Sequence, residues 1–174
     1  YVGWFDRHRV DGGVTPGIRT YADLLDRLRR LATETPADEP IVVGGFDPIY
    51  FRGEPRLSRE HLDRVSTTRP IFVFHASAHL ATVNTAMLER HGITRDSTTP
   101  GIVRDAAGDP NGELQEMPAM VLAASGVAVI FRTLNDPAAV DALGQICANQ
   151  GVTMLCDLAA SGLTNPAGQQ HWHD

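Results

Sequence analysis

An α/β fold with parallel strands is what this 174-residue sequence predicts, and three observations carry the prediction. Ile41-Val42-Val43-Gly44-Gly45, Ile71-Phe72-Val73-Phe74-His75 and Val152-Thr153-Met154-Leu155-Cys156-Asp157 are short, nearly continuous apolar runs. Such runs read as strands buried on both faces. Segments with helical apolar spacing separate them, the alternation expected of a parallel sheet. Each run closes on or beside a polar side chain, Asp47, His75 or Asp157. Parallel α/β folds bind ligands at the carboxyl ends of their strands.

Residues 1–18 are glycine-rich, carry Pro16 and lack a period, so they read as an irregular lead-in. Thr20 can cap a helix from Tyr21 to about Thr35, because Leu24, Leu25, Leu28 and Leu31 recur on one face. Pro40 precedes the first strand, and a loop rich in Gly, Pro and Arg follows it. Ser58 opens a short helix to about Val65, and Pro70 precedes the second strand. A helix is expected from about Leu80 to Arg90, with Gly92 at its C′ position. Between residues 94 and 116, Ile102-Val103 and Glu113-Leu114 flank Asp-Ala-Ala-Gly-Asp-Pro-Asn-Gly, which suggests a hairpin or an extended excursion. Met117 to Leu134 reads as helix, although Val127 to Phe131 leaves a strand open. Asp136-Pro137 starts a last helix that Gly151 ends near Gln150. Residues 165–174 form a polar tail, and the whole of 1–174 reads as one unit without internal repeats.

Composition narrows the function classes. The net charge is −6 and all 15 basic residues are arginine. Without a basic stripe the sequence does not fit a nucleic-acid partner. Without lysine it offers no Schiff-base, P-loop or carboxylated-lysine chemistry. No run approaches the ~18 apolar residues of a membrane span. Cys147 and Cys156 could pair as a disulfide but read rather as two buried free thiols of a cytoplasmic protein, and neither has metal-ligand spacing. A complete (β/α)₈ barrel typically takes ~250 residues, more than are present.

The densest site candidate is His75-Ala76-Ser77-Ala78-His79 followed by Asn84. Two imidazoles leaving a strand end can bind a metal, transfer protons or hold a substrate carbonyl. The plainer alternative has one bonded to a loop carbonyl and the other exposed. Asp47 and Asp157 can serve substrate or simply cap the following turn. Glu116 stands where an acid favours a helix start. His171 and His173 make an HxH in the tail, without a strand around it. His8, His61 and His91 read as solvated. Ser77 lacks a nucleophile elbow.

Several linked motifs are more specific. Phe46-Asp47-Pro48, Leu57-Ser58-Arg59-Glu60-His61-Leu62-Asp63-Arg64-Val65-Ser66 and Pro70-Ile71-Phe72-Val73-Phe74-His75-Ala76-Ser77-Ala78-His79 with Asn84 form one collinear set. Gly101-Ile102-Val103-Arg104-Asp105, Gly112-Glu113-Leu114-Gln115-Glu116 and Gly151-Val152-Thr153-Met154-Leu155-Cys156-Asp157-Leu158 continue it. Together they resemble the metal-dependent amidohydrolase superfamily, family-3 branch, which includes N-substituted formamide deformylase-like proteins.

The resemblance implies part of a (β/α)₈ TIM barrel whose metal, zinc or another divalent ion, activates water to hydrolyse a small-molecule amide or related C–N bond. It places the family's first ligands, an HxH, upstream of Tyr1 and further ligands beyond residue 174, so the chain reads as an internal piece of a longer hydrolase. Glu116 matches the glutamate of the family's G-x-L-x-E segment, a bridging ligand in place of carboxylated lysine. Glu116 and Asp157 are then the catalytic carboxylates. His75, His79, Asn84 and Asp47 face substrate, and His75, His79 and Glu116 are the candidate metal ligands. Ala78 departs from the pattern, which commonly has glycine there. Two other readings stand beside this one: a self-sufficient small hydrolase using His75, His79 and Glu116, and a non-catalytic binding or assembly domain whose apolar surface makes a homo-oligomer.

Overall fold

The computed structural model describes residues 1–156. Its centre is a five-stranded mixed sheet in the order β3-β4-β5-β7-β6. Strands β3 (Ile41–Phe46) and β4 (Ile71–His75) run parallel, and the connection between them carries a 3₁₀ turn at Pro48–Tyr50 and helix α2 (Arg59–Asp63). Strand β5 (Leu80–Val83) returns antiparallel beside β4. Strands β6 (Ile102–Arg104) and β7 (Pro110–Gln115) form the hairpin expected in the 94–116 segment, and β7 pairs antiparallel with β5. The lead-in holds a two-residue hairpin, β1 (Arg7–His8) with β2 (Val14–Thr15).

Helix α1 (Tyr21–Glu34) begins where the sequence places it. The Thr20 hydroxyl accepts from the Asp23 amide at 3.1 Å, and the Asp23 carboxylate accepts from the Thr20 amide at 2.9 Å. This reciprocal cap satisfies two amides that the first turn leaves without partners. Its buried face, with Leu24 and Leu28 inward, packs on Ile41, Val43 and Phe46 of β3 and on Ile71 and Val73 of β4. Each such side chain contributes about 1.5–3 kcal/mol by leaving water. The opposite face of the sheet holds Phe72, Ala81, Val83 and Leu114 against Met87, Leu88, Ala119 and Met120. Burial on both faces is what the apolar runs of β3 and β4 predict.

Four expectations need correction. The sheet is not all-parallel, because only the β3–β4 pair runs parallel. A four-residue turn over 76–79 separates β4 from β5, far too short for a parallel crossover. The helix expected over Leu80–Arg90 is strand β5 followed by α3 (Thr85–Arg90), with Asn84 capping the helix. Thr82 and Val83 are β-branched and have β4 to pair with, and pairing overrides the helical reading. The third strand is absent from its expected place: residues 152–156 are irregular and exposed, and Asp157 lies outside the described residues. Cys147 is half-buried and Cys156 exposed, both free.

The 117–134 segment divides into α4 (Glu116–Met120) and α5 (Ala124–Leu134), and α6 (Pro137–Asn149) follows, capped by Asp136. His91 and His61, expected to be solvated, are half-buried and hydrogen-bonded. His91 Nε2 meets the Ser125 hydroxyl at 2.8 Å, tying the end of α3 to the start of α5, and His61 Nδ1 accepts from the Ser58 amide at 3.2 Å to cap α2. Among the described residues no helix is long and apolar enough to cross a membrane.

Gly126 is the one buried residue of α5, and a Cβ built there would run into the Cβ, Cγ and Cδ2 atoms of Phe72. Close approach of the helix to the sheet is the reason for glycine here. Alanine in place of an interior helical glycine normally stabilises by up to about 1 kcal/mol. For Gly126→Ala the sign reverses: overpacking costs about 1–3 kcal/mol. Urea denaturation should show a lower midpoint for the variant.

Candidate functional site

The carboxyl end of β4 and the facing ends of β5 and β7 carry two polar groups in opposite environments. The first is buried. His75 is only 2% exposed, its Nε2 lies 2.9 Å from the Thr82 hydroxyl, and its ring stands edge-on to Phe46 at 5.1 Å. The other nitrogen, Nδ1, is buried without a partner. Burial pulls the imidazole down to about 4, against the opposing pull of the nearby Glu113. At neutral pH His75 is therefore uncharged.

Thr82 pairs across the ladder with Glu113, which is also 2% exposed. Arg56 grips this carboxylate with both arms, Nε to Oε2 and Nη2 to Oε1, each at 2.8 Å. The Gln115 amide donates to Oε1 at 2.7 Å. Burial on its own would raise Glu113, but the Arg56 and Gln115 hydrogen bonds outweigh it and hold the carboxyl below its usual value. A buried carboxylate needs such pairing. Sequence reasoning missed Arg56, Thr82 and Glu113. The available signal was an acid flanked by Gly112 and Leu114 in a segment read as extended; with no lysine in the chain, a cationic side-chain partner had to be arginine or histidine.

The second group is exposed. His79 Nδ1 and Glu116 Oε2 meet at 2.8 Å, with the side chains 69% and 66% exposed. The Glu116 amide also donates to the His79 carbonyl at 2.7 Å. Leu80 pairs with Gln115, so the residues just outside that pair face one another although 37 positions apart. Gly101 seats this end of β7: its carbonyl accepts from the Gln115 amide at 2.8 Å, and at φ +94° a Cβ would collide with the Gln115 carbonyl.

Ala78 and Glu116 have φ of 61° and 63°, the positive-φ non-glycine positions among the described residues. A left-handed conformation costs an L-residue about 1–2 kcal/mol. The resemblance expects glycine at position 78, and alanine there stands at φ 61°.

The remaining candidates are placed elsewhere. Asp47 is half-buried at the end of β3 and caps the 3₁₀ turn, accepting from the Ile49 amide at 3.1 Å. Asn84 is completely buried. Its Oδ1 accepts from the Ile71 and Met87 amides, and its Nδ2 donates to the Ser66 and Arg69 carbonyls, which engages its full hydrogen-bonding capacity. Asp157, His171 and His173 lie outside the described residues.

A carboxylate oxygen beside an imidazole nitrogen is a donor pair that zinc or another divalent ion accepts. The pair fits such an ion in chemistry, not in number: among the described residues no three His, Cys, Asp or Glu side chains converge.

The buried imidazole has a measurable consequence. Unfolded, His75 titrates near 6.5, and folded near 4. Between these values the unfolded chain binds a proton that the folded chain does not, so stability rises with pH. The contribution is complete above about pH 6.5 and is lost as pH falls toward 4, amounting to about 3 kcal/mol. In urea melts across that range, His75→Gln should flatten the curve by that amount. His61 and His91, also lowered by burial, stay in both proteins, so the difference reads His75 alone.

A sequence model of the amidohydrolase family matches residues 12–165. The chain is 30% identical over 111 residues to the N-substituted formamide deformylase of Arthrobacter pascens, covering 62% of this chain and 20% of that protein. It is 29% identical over 94 residues to the putative amidohydrolase YtcJ of Bacillus subtilis strain 168, covering 52% and 18%. The chain thus spans about a fifth of the length of these relatives. A metal-dependent hydrolase from Pyrococcus horikoshii superposes with a TM-score of 0.43 at 23% identity, over 66% of this chain and 19% of that one. With most of its length matched, the chain belongs to the amidohydrolase family.

Proposed function

We propose that the chain is a portion of a metal-dependent hydrolase that cleaves an amide or related C–N bond of a small molecule, and that Glu116, with His79 on its carboxylate, is its contribution to the metal centre. The observation that carries the reading is the 2.8 Å contact between these two side chains, exposed at the carboxyl-end side of β4. Family membership and likeness to a protein named for deformylating N-substituted formamides support the reaction class. In this reading β3 and β4 are successive strands of a (β/α)₈ barrel, and the β5–β7–β6 extension projects from its mouth.

Zinc is the ion that suits a mixed imidazole and carboxylate set, although another divalent ion would serve. When bound, such an ion supplies Lewis acidity and lowers the pKa of coordinated water. The chain's own residues do the rest. Glu116 supplies a carboxylate, and His79 holds it through the Nδ1–Oε2 contact. His75, neutral and held by Thr82, forms an uncharged wall behind the turn. Arg56 covers Glu113 while its outer face stays in water, and Asp47 borders the same end of the sheet. Asp157 remains a proposed general base.

In a hydrolase of the relatives' length carrying this sequence, Glu116→Gln should lower amine release from N-substituted formamides and simple amides by at least tenfold, a loss of the size seen when metal-site partners are removed, ~10–100-fold. Chelation should abolish the release. Release that survives chelation, or that is unchanged in Glu116→Gln, would overturn the proposal.

A further inference from the structure

The β4–β5 turn has a feature that the metal reading alone does not explain. His79 holds Glu116 twice, through its carbonyl on the Glu116 amide at 2.7 Å and through Nδ1 on Oε2 at 2.8 Å. Both ends of this latch are strained, since Ala78 next to His79 and Glu116 itself sit at positive φ. The side-chain contact does not repay that strain as stability, because both side chains are more than 60% exposed and water screens them. Strain kept at an exposed site is the signature of orientation rather than of stability.

Resting on the metal reading above, we infer that His79 is a positioning residue: its Nδ1–H fixes the Glu116 carboxylate by Oε2, so that Oε1 faces a divalent cation in one orientation. An ionised carboxylate only accepts, so Nδ1 must be the donor. Donation to a ligating carboxylate is the kind of outer support that tunes metal sites. Three turn features aim the ring. The Ser77 hydroxyl accepts from the His79 amide at 3.3 Å, the Ala78 amide donates to the His75 carbonyl at 3.1 Å, and Ala78 turns the chain. The strain at Ala78 therefore serves the direction of His79, and through it that of Glu116.

Asparagine and glutamine separate this role from its rivals. The Asn side-chain nitrogen overlies imidazole Nδ1, whereas the Gln nitrogen overlies Nε2. Mn²⁺ alone is titrated into a labelled hydrolase of the relatives' length carrying this sequence, and paramagnetic broadening of the Glu116 resonances is read in wild type, His79→Asn, His79→Gln and His79→Ala. Positioning through Nδ1 predicts wild-type broadening in His79→Asn, and about tenfold more Mn²⁺ for the same effect in His79→Gln and His79→Ala. Broadening unchanged in His79→Ala overturns the inference. So does an equal loss in His79→Asn and His79→Ala, which would make the ring itself a ligand. If Mn²⁺ leaves Glu116 untouched in the wild type, the metal reading fails, and positioning is decided without metal. The Glu116 carboxylate ¹³C shift should then move in His79→Ala and His79→Gln and return in His79→Asn. No movement in His79→Ala overturns the positioning role as well.

Discussion

Strand β4 is buried on both faces and paired on both edges, parallel to β3 and antiparallel to β5, so it cannot shift without breaking two ladders and two cores at once. A one-residue slip would turn Ile71, Val73 and His75 toward the Phe72 side and strand a polar ring in the wrong core. That constraint fixes where β4 ends. His75 is its last residue, and the turn that follows can place His79 beside β7 only because the strand before it is immobile. Asn84 secures the other end, joining Ile71 at the start of β4 to Met87 in α3 and to the Ser66 and Arg69 carbonyls of the incoming loop. With four hydrogen bonds on one buried amide, this junction depends on asparagine: aspartate would lose the two donors, and leucine would leave all four backbone groups unpaired.

The elements legible in the sequence were those whose local signal agreed with their packing. Helix α1 has a cap, a leucine face and a clean stop, and it lies within a residue of its expected bounds. Strands β3 and β4 are apolar throughout because both faces are covered. Leu80-Ala81-Thr82-Val83 reads as helix from the sequence because four apolar or β-branched residues before a helix carry no period of their own. They become a strand through a long-range fact, the availability of β4's free edge. Val152 to Cys156 is the converse case: its composition is that of a buried strand, yet no described strand pairs with it and its side chains are exposed.

The candidate site divides in the same way. Glu116 and His79 were each nameable from residue type and from the family's motif, but their contact was not. It depends on the register of Leu80 against Gln115 and on two left-handed residues, and periodicity encodes neither. Glu113 stayed hidden for another reason. One inward acid in a short strand does not disturb an apolar pattern enough to stand out, although its burial obliges a partner. That partner, Arg56, comes from a loop 57 positions away.

His75 and His79 are four residues apart, and the fold gives them opposite chemistry. Buried against Phe46, the first is neutral at physiological pH and has only a threonine hydroxyl as partner. It can shape a wall, but it cannot exchange protons with solvent near neutral pH. The second stands in water with a carboxylate on one nitrogen and, among the described residues, no partner on the other. Had both rings been buried, neither would stand at the surface to hold Glu116. Had both been exposed, the strand end would lose its apolar seal and the turn its fixed base. The left-handed step at Ala78 carries the chain from one environment to the other within four residues. Backbone strain at this turn is therefore the means by which a motif of two histidines becomes one structural group and one chemically available group.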